Sequence, residues 1–243
     1  MGNEFEVLEH GGIDPEKESP RFVAKHLSAY YFARQFSGGR VLEIGFGDGY
    51  GSSFLAESAY EVKAIDLFDK NVSAAAAKYL RPNLQFLKMN ATDLHWPDQH
   101  FDLTVSFQVI EHIPQALLAS FIEGIKRVTH KNGVICLSTL NLKKNQKPGQ
   151  PYSKSPHHDK EFSAEDLKGL LQPFFHGVTL YGLYPNLRHA FFERLKKMSI
   201  LNFLPKPLDP VNCYFQKITV DDFQWLKKAT IDDSIDLMAV CRQ

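Results

Sequence analysis

The stretch Val41-Leu-Glu-Ile-Gly-Phe-Gly-Asp-Gly-Tyr-Gly-Ser52 decides the fold. A short β run, Arg40 to Ile44, enters glycines at 45, 47, 49 and 51, and a helical pattern runs from about Tyr50 to Ser58. A strand that turns sharply into a helix while leaving its backbone open to a ligand needs residues without a β-carbon. Downstream, Glu61 to Asp66 reads as a strand, Asn71 to Leu80 as an alanine-rich helix, and Leu84 to Met89 and Phe101 to Phe107 as strands. Gln115 to Thr129 reads as a helix, Lys131-Asn-Gly133 as a turn and Val134 to Thr139 as a strand. Strands alternating with helices of this length imply right-handed crossovers. The expected fold is α/β, a doubly wound, Rossmann-like, mostly parallel sheet with helices on both faces.

On the N-terminal side, residues 1 to 19 are a polar arm, and apolar residues recur at helical spacing from Arg21 to Phe36. On the C-terminal side, residues 141 to 160 form a polar, proline-broken linker long enough to be a functional loop. Ser163 then caps a helix to Leu171. Phe174 to Tyr181 reads as a strand, Asn186 to Phe203 and Asp221 to Lys228 as helices, and Ile235 to Cys241 as a closing strand. The paired phenylalanines at 174 to 175 and 191 to 192 are expected in the core. The 243 residues are read as one domain. Within it, 1–38 is arm and helix, 39–140 a cofactor-binding core, 141–160 a lid loop, and 161–243 an acceptor-side cover with the closing strands.

Composition narrows the function. Hydrophobic residues at 44% and charged residues at 23% exclude a disordered or fibrous chain. Basic and acidic residues number 28 each, so no global field attracts a nucleic-acid backbone, and no nucleic-acid partner is expected. Cys136, Cys213 and Cys241 lack metal or disulfide spacing and fit a reducing cytoplasm. No apolar run is long enough to span a bilayer, and the acidic start is unlike a signal peptide.

Two nucleotide-derived cofactors compete for the glycine turn. A dinucleotide needs G-x-G-x-x-G, yet Tyr50 or Ser52 stands at the third glycine position. Glu43, two residues before the turn, would repel a pyrophosphate and suits a cation such as the sulfonium and ammonium of S-adenosylmethionine. Asp66 follows Gly45 by 21 residues, where a carboxylate accepts ribose hydroxyls in either case. An NAD(P)-dependent oxidoreductase and a non-catalytic S-adenosylmethionine-binding regulator stay open as alternatives.

VLEIGFGDGYGS, AIDLF, NATDLHWPDQHFDLTVSFQVIEHI and NGVICLSTLN together resemble the successive motifs of class I S-adenosylmethionine-dependent methyltransferases. HHDKEFSAEDLKGLL and FHGVTLYG resemble the later part of a bacterial subgroup associated with surface-glycan and lipopolysaccharide synthesis. The resemblance implies a seven-stranded sheet whose last strand is reversed. It also implies that Glu43, Gly45, Phe46, Gly47, Gly49, Tyr50, Asp66, Leu67, Asn90, Ala91, Thr92, Phe107, Gln108 and Val109 hold the cofactor. Asn90 stands where the family has an aspartate on the adenine amino group, and its carbonyl oxygen can accept that bond. Tyr30 matches the tyrosine of an Arg-Tyr pair whose arginine is Ala29 here.

Methyl transfer needs a base only where the nucleophile carries a proton. Glu111 and His112, after the fourth strand, are the candidates, with imidazole suited to neutral pH. Some relatives carry E-x-x-E-H as metal ligands; Gln108 replaces one of them, and no metal is expected. Tyr152, His157 and His158 are candidate acceptor contacts. Lys143, Lys144, Lys147 and Lys154 would let the linker act as a lid on an acidic acceptor, such as a phosphorylated or nucleotide-linked sugar; a solvated surface loop is the alternative. The expected activity is O-methylation of a small-molecule or glycan-related acceptor.

Overall fold

The structure is a computed structural model and describes residues 15–146, 151–198 and 208–243. Most of the N-terminal arm, Lys147 and the end of the helix expected over Asn186 to Phe203 lie outside the described residues. In chain order the elements begin with α1 (Pro20–Arg34), β1 (Arg40–Ile44), α2 (Tyr50–Leu55), β2 (Glu61–Asp66), α3 (Asp69–Lys78) and β3 (Leu84–Lys88). β4 (Phe101–Phe107), α4 (Leu118–Val128), β5 (Thr129–Leu140), α5 (Leu142–Asn145) and α6 (Ala164–Leu171) follow. The chain closes with β6 (Gly177–Pro185), α7 (Leu187–Met198), α8 (Pro210–Phe215), β7 (Phe223–Leu226) and β8 (Asp236–Arg242).

The strands form one sheet in the order β3-β2-β1-β4-β5-β8-β6-β7. β3, β2, β1, β4 and β5 are parallel to their neighbours, whereas β8 runs antiparallel to β5 and β6, and β7 antiparallel to β6. Side chains alternate across the sheet, so each buried strand feeds two cores. On one face, Leu42, Ile44, Ile135 and Leu137 pack with Phe121, Ile122 and Ile125 of α4 and Leu167 and Leu171 of α6. On the other, Val41, Leu103, Val105 and Cys136 pack with Ala29, Tyr30 and Ala33 of α1 and Leu55 of α2. Cys136 and Cys241 are buried free thiols on adjacent strands.

Three expectations are corrected here. The sheet has eight strands where seven were expected. The extra strand, β7, occupies the segment read as the helix Asp221 to Lys228; its two aspartates complete a single 3₁₀ turn, Val220–Asp222, before the chain extends. Pairing of Phe223 to Leu226 with Pro185 to Gly182 overrides the local helical signal. Third, the phenylalanine pairs are not uniformly core: Phe175 is buried, but Phe191 is exposed. The linker also carries the short helix α5, capped by Asn141, whose side chain accepts from Lys143 N–H.

Candidate active site

The carboxyl ends of β1 and β4 lie side by side where the strand order reverses, the position at which open α/β sheets bind ligands. The turn after β1 stands there with Gly45, Gly47 and Gly49 all at positive φ. At Gly45 a β-carbon would come within 2.4 Å of Val109 Cγ2, so the turn and the segment after β4 close on one another only because that carbon is missing. Gly51, in the first turn of α2, is needed for a different contact: its β-carbon would meet the Tyr30 ring at 2.0 Å.

That contact brings Tyr30 to Glu43. The Tyr30 hydroxyl donates to Glu43 Oε1 at 2.6 Å and the Ser52 hydroxyl to Oε2 at 2.5 Å. The Tyr30 ring is further held edge-on by Phe107, 4.9 Å between centroids. Glu43 is 1% exposed. Burial pushes its pKa up to about 7, the largest influence, although the two hydroxyls pull it down. Tyr30 therefore serves as a prop beneath the turn for the carboxylate.

Asp66, at the end of β2, is tied to the same turn. Its Oδ2 accepts the Gly47 N–H at 3.1 Å, and Oδ1 accepts the Phe68 N–H at 3.0 Å and the Asn71 side-chain amide at 3.1 Å. Burial raises its pKa, opposed by these donors. Leu67 follows as an exposed apolar side chain. Asp48 fixes the far side of the turn, accepting from the Tyr79 hydroxyl at 2.5 Å and Lys78 Nζ at 3.0 Å. After β3, Asn90 forms a local turn in which its Oδ1 accepts both the N–H and the hydroxyl of Thr92, at 3.0 and 2.9 Å. The oxygen expected to meet the adenine amino group is thus already engaged, and the NH₂ is the polar group that remains.

Beyond β4, Gln108 takes φ +57, a conformation unusual without glycine, and its N–H bonds to Ser138 O at 2.9 Å. The 3₁₀ turn Ile110–His112 follows. Glu111 is 1% exposed, its Oε2 has no partner, and burial raises its pKa to about 7 with Asp236 adding to the effect. Its backbone oxygen accepts the N–H groups of Asp159 and Lys160, at 2.7 and 3.2 Å, pinning the linker's end to the site. His112 is exposed, and its Nδ1 lies 2.9 Å from the His157 carbonyl oxygen. A carbonyl can only accept, so Nδ1 carries a proton, and in the neutral ring the lone pair lies on Nε2. The His158 ring stands 4.9 Å from His112, with Nδ1 2.6 Å from Glu161 Oε1. Burial, then the neighbouring cations and imidazoles, hold His158 at a pKa of about 4.

The structure thus gathers the predicted residues into one edge: the glycine turn with Glu43 and Asp66, the segment Phe107–His112, and His157–His158 docked on it. Lys154 is turned onto its own loop, donating to Asp159 O at 2.7 Å, whereas Lys143 and Lys144 are exposed. Among the described residues no group of His, Cys, Asp and Glu is arranged to hold a metal ion. Sequence reasoning missed Ser52, Asn71, Asp48 and Glu161. Of these only Ser52 left a trace, as the residue that spoils a dinucleotide fingerprint.

Comparison with known proteins agrees with this geometry. A family model described as a methyltransferase domain matches residues 42–137. A "Probable S-adenosylmethionine-dependent methyltransferase" of Mycolicibacterium smegmatis is 30% identical over 237 residues, 92% of this chain and 89% of that protein. One of the same description from Mycobacterium tuberculosis is 30% identical over 211 residues, covering 82% and 75%. Among solved structures, an S-adenosylmethionine-dependent methyltransferase from Archaeoglobus fulgidus superposes with a TM-score of 0.61 at 19% identity, covering 93% and 96% of the two chains. Identity of this level across nearly the whole length places the chain in a family: it belongs to the class I S-adenosylmethionine-dependent methyltransferases.

Proposed function

We propose that the protein transfers a methyl group to a hydroxyl oxygen of a small-molecule or glycan-related acceptor, with His112 taking the proton. The fit of S-adenosylmethionine rests on the cradle itself. Missing β-carbons at Gly45 and Gly51 let the turn approach Val109 and Tyr30, and two carboxylates, Glu43 and Asp66, converge on the turn. Glu43 supplies negative charge near a cationic group, Asp66 accepts from ribose hydroxyls, and the exposed Leu67 gives the adenine an apolar contact. Asn90, Ala91, Thr92, Phe46, Tyr50, Phe107, Gln108 and Val109 complete the pocket. Bound there, S-adenosylmethionine supplies an electrophilic methyl carbon on a sulfonium.

The remaining chemistry belongs to the chain. The His157 carbonyl engages Nδ1–H of His112, so that in the neutral ring the lone pair lies on Nε2, and this contact carries the proposal. Tyr152, His157 and His158 line the acceptor side, and Lys143 and Lys144 favour an acidic acceptor. Oxygen as the methylated atom agrees with more distant relatives named ubiquinone biosynthesis O-methyltransferase, such as one from Arabidopsis thaliana, 32% identical over 113 residues. Glu111, buried and holding the linker by its backbone, acts as an anchor. The whole is proposed to work as one domain in the cytoplasm.

The test is turnover with labelled methyl donor over hydroxyl-bearing sugars, sugar phosphates and catechols. A methylated oxygen product is expected, with His112→Gln lowering kcat by about 10²- to 10⁴-fold while donor affinity holds. An unchanged kcat in that variant would remove His112 from the chemistry.

A further inference from the structure

Helix α7 turns one aromatic ring and a polar latch inward. Phe192 stacks on Tyr214 at 4.1 Å between centroids, and His189 is fully buried, with Nδ1 2.9 Å from the Tyr214 hydroxyl, which in turn donates to Asp222 Oδ1 at 2.8 Å. Glu193, one turn on, lies 3.5 Å from His189 Nε2 and accepts from Arg21 of α1 at 2.6 Å. This latch fixes which way the helix faces. Residues four and eleven positions apart share one stripe of a helix, and here that stripe is Leu187, Phe191 and Met198. They are 91%, 56% and 63% exposed. With His189, Glu193 and Phe192 turned inward, this stripe is left facing water, and an exposed apolar face of this kind marks an interaction site.

The charges around the stripe identify what it meets. α7 carries Arg188, Arg194, Lys196 and Lys197 and one carboxylate, Glu193, which is turned inward onto Arg21 and His189. Arg188 and Lys196 lie over the rings of Tyr214 and Phe215, at 5.1 and 4.3 Å, while on helical geometry Arg194 borders the stripe and Lys197 stands further round on the same side. The outward face of α7 therefore combines large apolar side chains with cations and no carboxylate of its own. That is the pattern of a helix lying in the plane of an anionic bilayer, apolar side chains among the acyl chains and cations at the headgroups. No helix among the described residues is long and apolar enough to cross a membrane, and none needs to for this mode. We propose that α7 docks the protein on an anionic lipid surface through Leu187, Phe191 and Met198, with Arg194 and Lys197 reading the negative charge.

The experiment is flotation of the full chain with phosphatidylcholine vesicles that contain or lack phosphatidylglycerol. The wild type is expected to float with the anionic vesicles and to stay behind with the neutral ones. Arg194→Gln with Lys197→Gln should weaken partitioning roughly 30-fold. Leu187→Ser and Phe191→Ser should each weaken it roughly tenfold or more. S-adenosylmethionine affinity, measured by calorimetry, should be unchanged in every variant, which shows that the fold is retained. Three results overturn the proposal: a wild type that does not float, flotation indifferent to these substitutions, or a concentration-dependent dimer in sedimentation that the same substitutions abolish without vesicles. The last assigns the stripe to a second copy. None of these touches the methyl-transfer reading, which rests on His112 and the glycine turn.

Discussion

The proposed cofactor side, β1 to β5, and the proposed acceptor-side cover, from Asn141 to the start of β8, satisfy their buried polar groups in different ways. On the cofactor side the partners are close in sequence: Glu43 and Ser52 are nine residues apart, Tyr30 and Glu43 thirteen, Asp66 and Asn71 five, Asn90 and Thr92 two. The cover has short pairs of its own, such as Tyr214 with Asp222 eight residues on, but it is tied to the rest of the molecule over long separations. The Asn141 side-chain amide reaches the carbonyls of Ile231, Asp232 and Ser234, at 3.0 to 3.1 Å and some ninety residues away. Arg21 meets Glu193 across 172 residues, and Lys25 meets Asp236 across 211. A site made of local contacts leaves a motif behind, whereas a cover made of distant ones can be assembled from many sequences.

That contrast can be broken most forcefully at Gly51. Alanine there drives a β-carbon into the Tyr30 ring and separates its hydroxyl from Glu43. About 3 kcal/mol of stability should be lost, combining overpacking with a broken buried hydrogen bond, together with most of the donor affinity. Chemical denaturation and calorimetry check both. On the cover side, Asn141→Ala removes the shared donor for three carbonyls and should cost about 2 kcal/mol. Donor affinity should survive within a few-fold, and a large loss would mean that the two regions are not separable in this way.

A smaller effect separates them by pH. Glu43 titrates near 7 in the folded chain against 4.5 in the unfolded one, so the fold holds its proton more tightly. The stabilising contribution is complete below pH 4.5 and is lost as pH rises through about 7. Glu43→Gln should flatten that part of the decline between pH 5 and 8, leaving the share of Glu111, which is raised to about 7 as well. Thermal denaturation across this range, wild type against variant, measures the difference. The same ionisation predicts that a cationic donor binds more tightly as pH rises through 7, and that Glu43→Gln loses this dependence.

Much of the cofactor side was legible because its requirements are local. Glycines at two-residue spacing, an acid two residues before them and another 21 residues after the first point to a turn, a cation and a ribose. What the residues would bond to was less legible. Asn90 was expected to meet the base through its carbonyl oxygen, but its own chain takes that oxygen through Thr92. Ser52 and Tyr30 reach Glu43 only because α1 and α2 lie on the same face of β1, which is a matter of tertiary register. In the cover, local signals misled. Asp221 and Asp222 look like the first turn of a helix, yet the chain extends into β7 because β6 offers an open edge. Phe191 looks like core, yet His189, Glu193, Tyr214 and Asp222 pull the polar side of α7 inward and leave it outside.

The claim at the centre is that the turn at Gly45 to Gly51, with Asp66 beside it, holds S-adenosylmethionine. Titration calorimetry of S-adenosylmethionine into wild type and Asp66→Ala tests it directly. The wild type should bind with 1:1 stoichiometry and the variant roughly 100-fold more weakly, the cost of charge-assisted hydrogen bonds to the ribose. A wild type that does not bind, or a variant that binds equally well, would contradict the account.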